Sequence, residues 1–79
     1  MERNEILERI TPIFQQVFND NTLVLTEDME KDDFDNWDSV TQMMLVAMIE
    51  KDFCIIFKLR EVGMLNSIGD FLRAIESKL

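Results

Sequence analysis

Ser39 stands in the stretch Asn36-Trp37-Asp38-Ser39-Val40, at the threshold of an apolar run, in a chain that has no histidine. A hydroxyl with no base beside it is a poor nucleophile. Two other uses remain open, a part in starting a helix and a hydroxyl that another enzyme modifies. The only thiol is Cys54, with Lys51 and Lys58 as its nearest cations in the chain. It reads as a small buried hydrophobe rather than a reactive group. Seven acids, Glu27, Asp28, Glu30, Asp32, Asp33, Asp35 and Asp38, crowd the segment before the serine against a single Lys31. Their spacing invites comparison with a calcium loop, but the turn glycine and the closing glutamate are missing. Weak, general cation binding is the blander alternative. Zinc spacing and a glycine-rich phosphate loop are absent, and the only glycines are Gly63 and Gly69. No acid–base or nucleophile–base pair can be assembled, which argues against an enzyme.

Composition narrows the partners. Seventy-nine residues make one domain, 1–79, with a small core. Eight basic residues against sixteen acidic ones leave a net charge of −8, which argues against nucleic acid and anionic membranes. That balance suits a partner with a basic docking patch. The longest apolar run, Met43 to Ile49, is far short of the roughly 20 residues a membrane span needs. The charged start MERNEILERI shows no signal-peptide pattern, and a lone cysteine allows no internal disulfide. A cytoplasmic monomer is expected.

The elements that must position Ser39 follow from periodicity. Ile6, Ile10, Phe14, Val17 and Phe18 recur at helical spacing, with Asn4 as a candidate cap. Pro12 either kinks this helix or sits in the first turn of a second one begun by Thr11; the unbroken phase of the stripe favours one kinked helix. Residues 19–38 form a long connection that Leu23, Val24, Leu25, Met29, Phe34 and Trp37 can pin to the helices. A second helix is predicted from about Ser39 to Asp52, capped by Asp38. Leu45, Val46, Ile49 and Phe53 share one side of it with Gln42, while Val40, Met43, Met44 and Ala47 share the other. Either the second side meets a partner or ligand, or both sides are simply buried. FCIIFKL reads as an extended connection, Arg60 to Leu65 as a short helical turn or two, and NSIGDFLRAIESKL as a last helix. That helix opens on a Ser67/Asp70 capping box and buries Ile68, Phe71, Leu72, Ile75 and Leu79. The expected fold is all-α, a small four-helix bundle of three main helices and one short one, with a long loop between the first two.

Asp38-Ser39 before an apolar helix, then Glu50 to Phe53, then NSIGDFLRAI, resembles an acyl carrier protein over essentially the whole chain. The resemblance implies that Ser39 carries 4′-phosphopantetheine through a phosphodiester. A phosphopantetheinyl transferase would supply it from coenzyme A with magnesium, and Asp38 would help hold that metal. Acyl groups would ride on the arm's thiol as thioesters, delivered among acyl-activating enzymes, acyltransferases and synthases. Gln42, Val46, Ile49, Phe53, Leu65 and Ile68 are candidates for an acyl pocket, with Gln42 near its entrance; an ordinary core has the same composition. Val40, Met43, Met44, Ala47 and Glu50 are candidates for partner docking.

The chain departs from the family pattern in several places. Val40 stands where a leucine is usual, and Met44 and Lys51 occupy positions that are often acidic. Docking should therefore lean on apolar contact more than on charge. Trp37 and the FCIIFKL stretch are closer to specialised bacterial carriers than to those of fatty-acid elongation; Trp37 either plugs the loop onto the bundle or fences the arm. A peptidyl or D-alanyl carrier, and an unmodified helical adaptor binding through Met43 and Met44, are the alternatives.

Overall fold

Isoleucines and a phenylalanine three and four residues apart wind into α1 (Arg3–Val17), which buries Ile6, Ile10, Ile13 and Phe14 on one face. A computed structural model describes residues 1–79. The helix is entered at Glu2, not Asn4, because the Glu5 carboxylate accepts the Glu2 N–H at 3.1 Å and closes the first turn. It runs through Pro12 as one element. Thr11 starts no second helix; its hydroxyl donates back to the Leu7 carbonyl at 2.7 Å.

The long connection is held down rather than loose. Leu25 is buried and Leu23, Met29, Phe34 and Trp37 pack against the core, whereas Val24, an expected pin, faces solvent. A short 3₁₀ turn, Lys31–Asp33, interrupts it. Its carbonyls meet the start of the last helix: Met29 accepts from the Ile68 N–H and Glu27 from the Gly69 N–H, both at 2.9 Å. Those donors have no partner inside their own helix, so the loop satisfies them. A side chain at Gly69 would put its Cβ 3.2 Å from the Glu27 carbonyl, so glycine permits this close approach.

The second helix, α2 (Ser39–Phe53), starts where Asp38 accepts the Thr41 N–H at 2.9 Å. It stops at Cys54, whose φ of 56° is left-handed. Cys54 is exposed, which corrects its reading as a buried hydrophobe. The αL turn reverses the chain and carries that side chain outside the bundle. Beyond it the chain alternates, with Ile55 and Phe57 buried and Ile56 and Lys58 exposed, without forming a strand.

A single short turn, α3 (Leu59–Val62), leads to α4 (Ile68–Glu76). The Ser67 hydroxyl accepts the Asp70 N–H at 3.1 Å, while the Asp70 carboxylate reaches back one residue further than a strict capping box, to the Asn66 N–H at 3.0 Å. Ile68, Phe71, Leu72 and Ile75 are buried. Leu79 is exposed, because the helix ends at Glu76 and leaves it past the last turn. Sixteen buried apolar residues from α1, α2, α4 and the connections between them form one cluster. Arg3 ties the start of α1 to Glu27 in the loop and Glu76 in α4. The architecture is the expected all-helical one, and no helix is long and apolar enough to cross a membrane.

Candidate functional site

At 100° per residue, Gln42, Leu45, Val46, Ile49 and Phe53 fall on one side of α2, and all five are buried. Ser39, Val40, Met43, Met44 and Ala47 fall on the other side and are exposed. Together these five line a shallow concavity on the surface. Burial of both faces, one of the two readings of the sequence, is thereby overturned. Ser39 is the first residue of α2, in solvent, at the rim of an apolar strip.

What holds this junction in place lies beneath it. The Trp37 indole N–H donates to the Gln42 side-chain oxygen at 2.6 Å. The Gln42 amide in turn donates to the carbonyls of Val62 at 2.9 Å and Leu65 at 3.0 Å. One buried amide thus ties together the loop, α2 and the chain around α3. Trp37 packs edge-on to Phe14 and Phe34 and lies close to Phe18 and Phe71, so it plugs the loop onto the bundle. Nothing in the spacing of these residues announces the clamp. The one available signal was a glutamine at a buried angle of an otherwise apolar helix face.

Asp38 precedes Ser39 as the cap. The Thr41 backbone N–H, and then its side chain, holds the Asp38 carboxyl below the usual aspartate range. It therefore stays ionised well into the acid range. Three other loop acids are likewise engaged: Glu27 with Arg3, Asp28 with the Thr26 hydroxyl, Asp33 with the Glu30 N–H. No group of three potential metal ligands converges.

The residues expected to line an acyl pocket, Val46, Ile49, Phe53, Leu65 and Ile68, are brought together as packed core. Leu65 also touches a surface concavity with Glu61, Met64 and Arg73. Gln42 stands in the clamp described above. Glu50, expected in docking, is half-buried and its carboxylate accepts the Phe57 N–H at 2.9 Å. Its neighbour Asp52 pairs with Arg9 at 3.0 Å, and that guanidinium lies 4.2 Å from the centre of the Phe53 ring.

No protein-family model matches the chain, and no curated protein matches it. Among solved structures it is similar to a holo acyl carrier protein from Geobacter metallireducens, studied by solution NMR, with a TM-score of 0.83 and 39% identity. That likeness spans 91% of this chain and 83% of the other. At such identity over nearly the full length, shared helix order reflects shared descent rather than a common bundle shape alone. The chain belongs to the acyl carrier protein family.

Proposed function

We propose that Ser39 is the attachment point of a 4′-phosphopantetheine arm, and that the protein carries acyl groups among separate enzymes of a lipid, polyketide, fatty-acid or polysaccharide-modifying pathway. The observation that carries this is the exposure of Ser39 at the first position of α2, next to a solvent-facing apolar strip. A hydroxyl so placed can enter another enzyme's active site while the bundle stays folded. When attached, the arm supplies a thiol that holds acyl chains as thioesters. On this reading Asp38, kept ionised by Thr41, helps hold a magnesium ion while a phosphopantetheinyl transferase, using coenzyme A, modifies its neighbour. Because Asp38 already occupies the Thr41 N–H, a phosphodiester on Ser39 gains little from the helix terminus and stays in solvent. The tether is then free to swing.

Cargo shelter demands movement. Val46, Ile49, Phe53, Leu65 and Ile68 close against one another, so an acyl chain enters only if the segment around α3 moves away from α2. Burying each methylene gains about 0.8 kcal/mol, enough over a medium chain to offset such an opening.

The test is intact mass after incubation with coenzyme A, magnesium and a broad-specificity transferase. A gain of one phosphopantetheine that vanishes in Ser39→Ala supports the proposal. No gain with several transferases favours the adaptor reading, which the exposed Met43 and Met44 would also serve. Loading of the modified form by an amino-acid-activating enzyme would instead mark a peptidyl or D-alanyl carrier.

A further inference from the structure

The net charge of −8 suggests a partner with a basic patch, but the charge around the apolar strip is arranged the other way. Of the eight basic residues, Arg3, Arg9, Arg73 and Lys78 are held in ion pairs. Lys31, Lys51, Lys58 and Arg60 remain without one, and three of these lie in the ten residues from 51 to 60. The acids of the same region are already engaged. Glu50 holds the Phe57 N–H, Asp52 pairs with Arg9, and Glu61 pairs with Lys78 at 2.8 Å and accepts the Lys58 N–H at 2.7 Å.

Geometry puts these cations on the two edges of the strip. The segment 57–65 runs back along α2, tied to Glu50 at one end and Gln42 at the other. On the helix wheel both positions lie on the side of α2 that carries Ser39 and Met43 rather than Met44. The segment presents Leu59, 86% exposed, with Lys58, Arg60 and Met64 beside it, and Ile56 is 80% exposed just before it. Lys51 lies on the opposite edge, where it shares a concavity with Arg9, Pro12, Met48 and Asp52. Exposed apolar area of this kind, ringed by charge, is the anatomy of a docking patch.

We infer that the face formed by α2 and the 56–64 segment docks a protein partner whose surface is apolar at its centre and acidic at its rim. The inference rests on the proposed carrier role, since the face borders Ser39, and it names the partner's chemistry. Free cations left around an apolar strip select carboxylates and repel a basic rim. The acidic loop meets this face at Asp38, next to Ser39, while Lys51, Lys58 and Arg60 lie further along it.

Two designed amphipathic helical peptides test this, sharing one apolar face and rimmed either by glutamate or by lysine. Binding is followed by amide shifts of the isotope-labelled protein. The glutamate-rimmed peptide is expected to move the amides of Met43, Ala47, Leu59 and Arg60, and the lysine-rimmed one to go to the acids of 27–38. Lys51→Glu combined with Arg60→Glu should weaken the first peptide on the order of tenfold, while the unchanged remainder of the spectrum reports an intact fold. If the lysine-rimmed peptide occupies the α2 face, or the glutamate-rimmed one leaves those amides still, the inference is wrong. The mass gain at Ser39 is read separately, so loss of the carrier site and loss of this docking preference are distinguishable outcomes.

Discussion

The indole N–H of Trp37 lies 2.6 Å from the side-chain oxygen of Gln42, joining the residue two before Ser39 to one three after it. This bond fixes the entry of α2 from below, and the same glutamine carries the chain around α3 through Val62 and Leu65. The entry to α2 beside Ser39 and the chain around α3 are therefore tied to one amide.

Trp37→Phe keeps the ring packing and removes the donor, leaving the Gln42 oxygen without a partner. The expected cost is about 1–3 kcal/mol. Gln42→Leu strands the indole N–H and two carbonyls and should cost more, roughly 2–4 kcal/mol. Chemical denaturation followed by far-ultraviolet circular dichroism measures both, since Trp37→Phe removes the only tryptophan. Equal stability of all three proteins would show that the clamp is incidental.

Cys54 adopts a left-handed conformation that favours glycine. Cys54→Gly should raise stability by roughly 0.5–1 kcal/mol, since relief of the Cβ contact exceeds the entropy glycine adds to the unfolded chain. The exposed thiol should also be alkylated by iodoacetamide in the native protein. Protection from alkylation would mean that the side chain is turned inward.

Acidification should destabilise the fold through Asp38, Asp20 and Glu61. Thr41, Thr22 and Lys78 respectively hold their carboxyls below the ordinary range. A group with a depressed folded pKa stabilises above its unfolded value and loses that contribution as pH falls through the folded one. The melting temperature should hold steady down to about pH 4 and decline below it. Asp38→Asn, which still caps the helix but does not titrate there, should show a shallower decline. A slope unchanged from wild type would remove Asp38 from the account.

The two faces of α2 should respond unequally to truncation. Ile49→Ala opens a hole in the core and should cost about 2–5 kcal/mol, while Met43→Ala should change stability by no more than about 0.5 kcal/mol. Thermal or urea unfolding of the pair checks this. A large loss from Met43→Ala would mean that the strip packs against the protein itself.

Residue order alone determined the helices, the Asp38 and Ser67 caps, the two apolar sides of α2 and the place of Ser39 at its start. Each is a local matter, set by 3.6-residue periodicity and by side chains that satisfy nearby backbone donors. Tertiary structure decided the rest. It gave Gln42 and Trp37 their shared bond, turned Glu50 and Glu61 inward, and left Lys51, Lys58 and Arg60 free on an otherwise acidic protein. It also turned Cys54 and Leu79 outward, against their hydrophobic character. Periodicity reports which way a side chain points on its own helix; which charges find partners depends on residues far along the chain, brought close only when the bundle closes.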